Sequence, residues 1–86
     1  MGRTKFHSEG EFILRARFKR RLTQAEVAQK IGMTAQFLGR IERGYASLPD
    51  RFVSPFIELT RANRRAYLRA LLEDASHAAK RKAGIA

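Results

Sequence analysis

Apolar residues in this chain recur at steps of three and four and never settle into single alternation. Phe12, Ile13, Ala16 and Phe18 form a first stripe, with arginines between them. Val27, Ala28 and Ile31 form a second stripe, and Leu38 and Ile41 a third. Phe52, Val53, Phe56, Ile57 and Leu59 make a fourth, and Tyr67, Leu68, Leu71, Leu72 and Ala75 a fifth. This period belongs to amphipathic helices that bury one face. With no strand-like pattern, internal repeat or low-complexity run, the expected fold is all-α, a compact domain of five helices.

The polar residues between the stripes mark the helix ends. Thr23 with Glu26 spells a capping box, and Leu22 with Val27 the apolar staple around it. Gly32 stands where a helix closes in a left-handed residue, a position that penalises a side chain. Thr34 caps again, Met33 and Leu38 repeat the staple, and Gly44 closes the next helix. Ser8 and Glu11 spell a further capping box, opening a first helix that runs to about Arg20. Pro55 is comfortable only in a first turn, so the regular part of the fourth helix is expected from Ser54. Thr60 is expected to cap the fifth helix, over about 61–80. The layout is then a flexible basic arm over 1–7, one domain over 8–80 and a flexible tail over 81–86.

Residues 23–44 thus read as two short capped helices joined by one tight turn, with the small Ala28 where they approach. That arrangement can lay its second helix in the major groove of DNA. Charge points the same way. Eighteen Lys and Arg against eight Asp and Glu leave +10 on 86 residues, a field that draws phosphate. Plain solubility is the bland explanation of that charge. A basic helix lying on a membrane fits less well, because the arginines are spread over several segments.

Other chemistry is thinly represented. No run of about 18 apolar residues offers a membrane span, and no signal-peptide core is visible. Met1 and Gly2 resemble a myristoylation start, but Phe6 stands where a hydroxyl is wanted. The absence of cysteine excludes disulfides and thiolate metal sites and fits a reducing cytoplasm. His7 and His77 show no metal-ligand spacing, and Glu73 and Asp74, being adjacent, diverge on a helix. With no nucleophile elbow or phosphate-binding glycine loop, the chain reads as a binding protein without cofactor or metal, not an enzyme.

The stretch Leu22-Thr23-Gln24 through Val27-Ala28, then Ile31-Gly32 and Ile41-Glu42-Arg43-Gly44, resembles the lambda-repressor-like helix-turn-helix family, the XRE type that includes phage Cro and repressor domains. The resemblance covers roughly residues 11–59. It implies a bundle of four or five helices that binds double-stranded DNA, usually as a homodimer. It implies that Arg17 and Glu42 form a partly buried structural ion pair, where a loose surface pair is the plain alternative. It also implies that Gln24 places its amide and a helix N-terminus near a phosphate, where an ordinary helix-start residue is the plain alternative.

In that geometry Ala35, Gln36, Phe37 and Arg40 occupy the base-reading turns of the third helix. Gln36 suits adenine and Arg40 suits guanine, and the two share a face at four-residue spacing. A grip on phosphate alone is the lesser role for Arg40. Phe37 either touches a thymine methyl or shields the helix start. Ala35 offers only a methyl where the family often has a longer polar residue. Gly39 replaces a frequent serine, either for close backbone approach or as a tolerated defect.

Backbone-facing candidates are Thr23, Gln24 and Thr34 at the helix starts, Lys19, Arg20 and Arg21 before them, and Arg43, Tyr45 and Ser47 after them. A solvated charge run is the alternative for Lys19 to Arg21. Lys80, Arg81 and Lys82 read as solvated tail.

The expected function is a cytoplasmic, nucleoid-associated transcriptional regulator, a repressor on an inverted repeat. Tyr67, Leu68, Leu71 and Leu72 are the candidate dimer interface, unless that stripe simply closes the monomer core. Two rivals stand beside this reading. One is an antitoxin whose fifth helix binds a partner toxin; another protein partner would be the transcription machinery. The other is a non-specific nucleic-acid-binding or protein-interaction module.

Overall fold

Capping chemistry fixes two of the helices where local sequence places them. In the computed structural model, which describes residues 4–84, α2 is Gln24–Ile31 and α3 is Ala35–Glu42. The first three residues of the expected arm and the last two of the tail lie outside the described residues. Thr23 Oγ1 accepts the Glu26 N–H at 3.0 Å, and the Glu26 carboxylate accepts the Thr23 N–H at 2.8 Å. The Thr23 N–H first, and then the Thr23 hydroxyl, hold the Glu26 carboxyl below its ordinary range. Thr34 Oγ1 accepts the Phe37 N–H at 3.1 Å. Gly32 and Gly44 close the two helices at φ 91° and 84°. After α3 the N–H groups of Gly44 and Tyr45 return to the carbonyls of Ile41 and Arg40, a Schellman closure.

The other three helices, α1 (His7–Lys19), α4 (Asp50–Thr60) and α5 (Arg64–Lys82), depart from the local reading at their starts. The Ser8–Glu11 capping box does not form. The N–H groups of Ser8 and Glu9 donate instead to the two carboxylate oxygens of Asp74 on α5, at 2.8 and 2.9 Å. A carboxylate from another helix thus satisfies the donors that a helix start leaves orphaned. Glu11 turns outward to Arg15 at 2.6 Å.

Helix α4 begins at Asp50 and carries Pro55 in its interior, so the proline does not mark the first turn. It removes one helical hydrogen bond, while Phe52, Phe56 and Ile57 are buried on the same helix. Thr60 caps nothing: it ends α4, its hydroxyl donating to the Phe56 carbonyl at 2.8 Å. Asn63 caps α5 by accepting the Ala66 N–H at 3.0 Å.

The core lies between the five helices, α1 against α3, α4 and α5 and α2 against α3 and α4, around Ile13, Val27, Leu38, Ile41 and Phe56. Phe18 is not part of it; it is 61 % exposed, with the Arg17 guanidinium 4.8 Å over its ring. Gly10 sets the closeness of α1 to α3, since a Cβ there would fall 2.6 Å from the Ile41 carbonyl oxygen. Among the described residues no helix is long and apolar enough to cross a membrane.

Candidate nucleic-acid interface

The stage for α3 is a buried ion pair. Arg17 Nε donates to Glu42 Oε2 at 2.6 Å and Arg17 Nη2 to Glu42 Oε1 at 2.9 Å. The side chains are 8 % and 3 % exposed. Arg17 Nη1 also donates to the Leu22 carbonyl at 2.9 Å, so one guanidinium ties α1 to the end of α3 and to the entry of α2. The hydrogen bond to Glu42 raises the Arg17 pKa against the opposing effect of burial. Removing one member would strand a charge in a dry site, at a cost of about 3–5 kcal/mol.

Gln24 joins this pair. Its amide nitrogen donates to Glu42 Oε1 at 2.9 Å, which fixes the first residue of α2 against α3. One amide hydrogen is committed there, and the second remains for an outside acceptor.

One shallow open depression is lined by Gln24, Ala35, Gln36, Gly39, Arg40 and Arg43. Gln36 and Arg40 are exposed, and Ala35 is half-buried. Gly39 faces inward: a Cβ there would meet Arg43 Nη1 at 3.3 Å and the Gln24 amide at 3.6 Å. Phe37 packs against the hydrophobic core, so shielding is the role its position supports and it leaves the exposed set.

The flanking candidates divide. Arg43 and Tyr45 are exposed, with the guanidinium 5.9 Å over the tyrosine ring. Arg20 and Arg21 are exposed just before α2, and Arg21 holds a left-handed φ of 56°. Thr23 and Thr34 use their oxygens as cap acceptors; the Thr34 hydroxyl hydrogen is left to donate outward, while the Thr23 hydroxyl also serves the Glu26 carboxylate. Lys19 is exposed as well, and it lines a groove with Phe12, Arg15 and Arg61. Ser47, half-buried, spends its hydroxyl hydrogen within the chain, donating at 2.8 Å to Glu9.

Glu9 is the residue that sequence reasoning missed. It is fully buried and accepts hydrogen bonds from Ser47 Oγ at 2.8 Å, the Leu48 N–H at 2.9 Å and Tyr67 Oη at 2.8 Å. Three donors on one carboxylate hold the loop after α3 against α1 and α5. A glutamate in a first helical turn signals an exposed cap, so nothing local betrays its burial.

The stripe on α5 splits as well. Tyr67 is buried, its ring 5.5 Å from that of Phe12, and Leu71 packs against the core. Leu68 and Leu72 are 52 % and 58 % exposed. His7 and His77, distant in sequence, line one cleft with Glu73 and Asp74. Even so, no cluster of three or more His, Asp or Glu side chains among the described residues is placed to hold a metal.

The helix-turn-helix family profile matches residues 13–54. Among solved structures the chain is similar to the clp gene regulator ClgR from Corynebacterium glutamicum, with a TM-score of 0.69. The two are 17 % identical, and the match covers 93 % of this chain and 86 % of that one. At that identity the likeness is one of fold. No curated protein matches the chain.

Proposed function

We propose, from the match of the helix-turn-helix family profile to residues 13–54, that the chain is a sequence-specific DNA-binding transcriptional regulator. In this reading it is a repressor that binds an inverted-repeat operator as a homodimer. The observation that carries it is the exposed face of α3. Gln36 and Arg40 stand free there, on a helix whose far end is locked by the Arg17–Glu42–Gln24 network. Side chains held on a rigid frame lose little on docking, which is what base discrimination needs.

Gln36 reads adenine and Arg40 guanine, each giving about 1–3 kcal/mol of discrimination. Arg20, Arg21, Arg43 and Tyr45 grip phosphates on the two flanks, with the Gln24 amide, Thr23 and Thr34 at the helix starts. In a dimer, two copies of α3 enter successive major-groove faces about 34 Å apart. Leu68 and Leu72 supply the apolar patch for that dimer, because Tyr67 and Leu71 are taken up by the monomer.

Selection from a random duplex DNA pool at physiological salt tests the whole reading. An enriched inverted repeat is expected, and Arg40→Ala should lose its preference at one base position while non-specific affinity holds. A single half-site would remove the symmetric dimer. Salt-sensitive binding without enrichment would overturn sequence reading and leave a non-specific binder.

A further inference from the structure

A groove runs between the second half of α1 and the α4–α5 turn, lined by none of the residues of the α3 depression. It encloses roughly 390 Å³ over a floor of Phe12, Ala16, Ala62 and Ala66. The three alanines leave the angle between the helices unfilled, which is room for an incoming apolar side chain. Every charged residue on the rim is a cation, namely Arg15, Lys19 and Arg61. Arg15 is engaged by Glu11, while Lys19 and Arg61 have no ion-pair partner among the described residues.

The position of this groove on α1 follows from helix geometry. At about 100° per residue, Arg15 and Lys19 fall about 160° round the helix from Arg17, and Gly10 only about 20° from it. Arg17 and Gly10 are the residues that meet α3. The groove therefore opens on the side of α1 turned away from α3 and stays free when α3 is occupied.

We propose that this groove docks a protein partner through an acidic segment carrying an apolar anchor. The anchor fills the space over Ala62 and Ala66, and its flanking carboxylates meet Lys19 and Arg61. Nucleic acid is the poorer occupant, since a phosphate backbone gains nothing from an alanine floor. An acidic apolar segment uses both features at once.

The test uses the full chain and a fluorescent peptide of two leucines set among aspartates, read by anisotropy. Replacing either the leucines by serine or the aspartates by asparagine should weaken binding about tenfold. Arg61→Gly should weaken it as much. Because Arg61 sits at φ 58°, glycine relieves the backbone, so that variant should unfold at no lower denaturant concentration than the parent. Ala66→Glu, which fills the floor with a like charge, should abolish binding. Saturating duplex DNA should leave the peptide bound.

The proposal is overturned if the parent peptide does not bind, or if the serine peptide binds equally well, since the net charge alone would then suffice. It is equally overturned if Arg61→Gly binds unchanged or if duplex DNA displaces the peptide. The peptide arms do not depend on DNA binding, so they decide the matter even if the operator reading fails.

Discussion

Glu9 and Tyr67 show how much a single contact can govern. The phenol is pushed well above its ordinary range, first by burial and then by its hydrogen bond to the Glu9 carboxylate. A group whose folded pKa is raised keeps its proton longer in the native state, so folding is favoured below the unfolded value and weakened above it. The protein should therefore lose stability as pH rises past about 10. Tyr67→Phe should flatten that alkaline loss while lowering neutral-pH stability by about 1–3 kcal/mol, because Glu9 loses a donor. Urea unfolding at about pH 8 and about pH 11 reads both effects; an unchanged alkaline slope in the variant would refute the assignment. Legibility differs sharply between residues. The resemblance named Arg17 and Glu42, which the structure brings together, whereas Glu9 looked like any surface acid, because its three donors come from distant segments.

Among the helices, legibility follows the range of the interactions that define each end. The starts of α2 and α3 are written within three residues, and local reading finds both. The start of α1 is written by Asp74, 65 and 66 positions away, and the span of α4 by burial strong enough to carry a proline. No spacing rule contains either. Gly39 is an element-scale case with a measurable outcome. Within α3 an alanine should be favoured by about 1 kcal/mol over glycine, and the nearest obstacle is the movable end of Arg43. Gly39→Ala should accordingly raise the urea midpoint. A fall would show that α2 and α3 have no spare room beside Gln24.

For the molecule as a whole, α5 carries two apolar faces, and the sequence pattern could not separate them. One face, with Tyr67 and Ala70, closes the monomer; the other leaves Leu68 and Leu72 in solvent. Had one face accounted for the whole stripe, a dimer patch and a monomer core would have competed for the same residues. Leu72→Asp touches only the open face, so it should keep the monomer's fold and halve the mass seen by light scattering at concentrations where the parent is dimeric. A folded variant of unchanged mass would show that this patch is not the contact of the proposed dimer. On an operator, the same variant should bind single half-sites in place of the inverted repeat.

The bonds that join Glu9 to Tyr67 and Ser8 to Asp74 also impose an order on synthesis. A chain leaving the ribosome presents its first helix long before the partners of that helix exist, since they follow 58 and 66 residues later. Until they emerge, Glu9 lacks its phenol donor and the first turn of α1 lacks its carboxylate. A product cut off before Tyr67 would contain every residue of the helix-turn-helix, yet lack the bonds that brace its first helix. Helix α5, made long after α1, is the one that completes it.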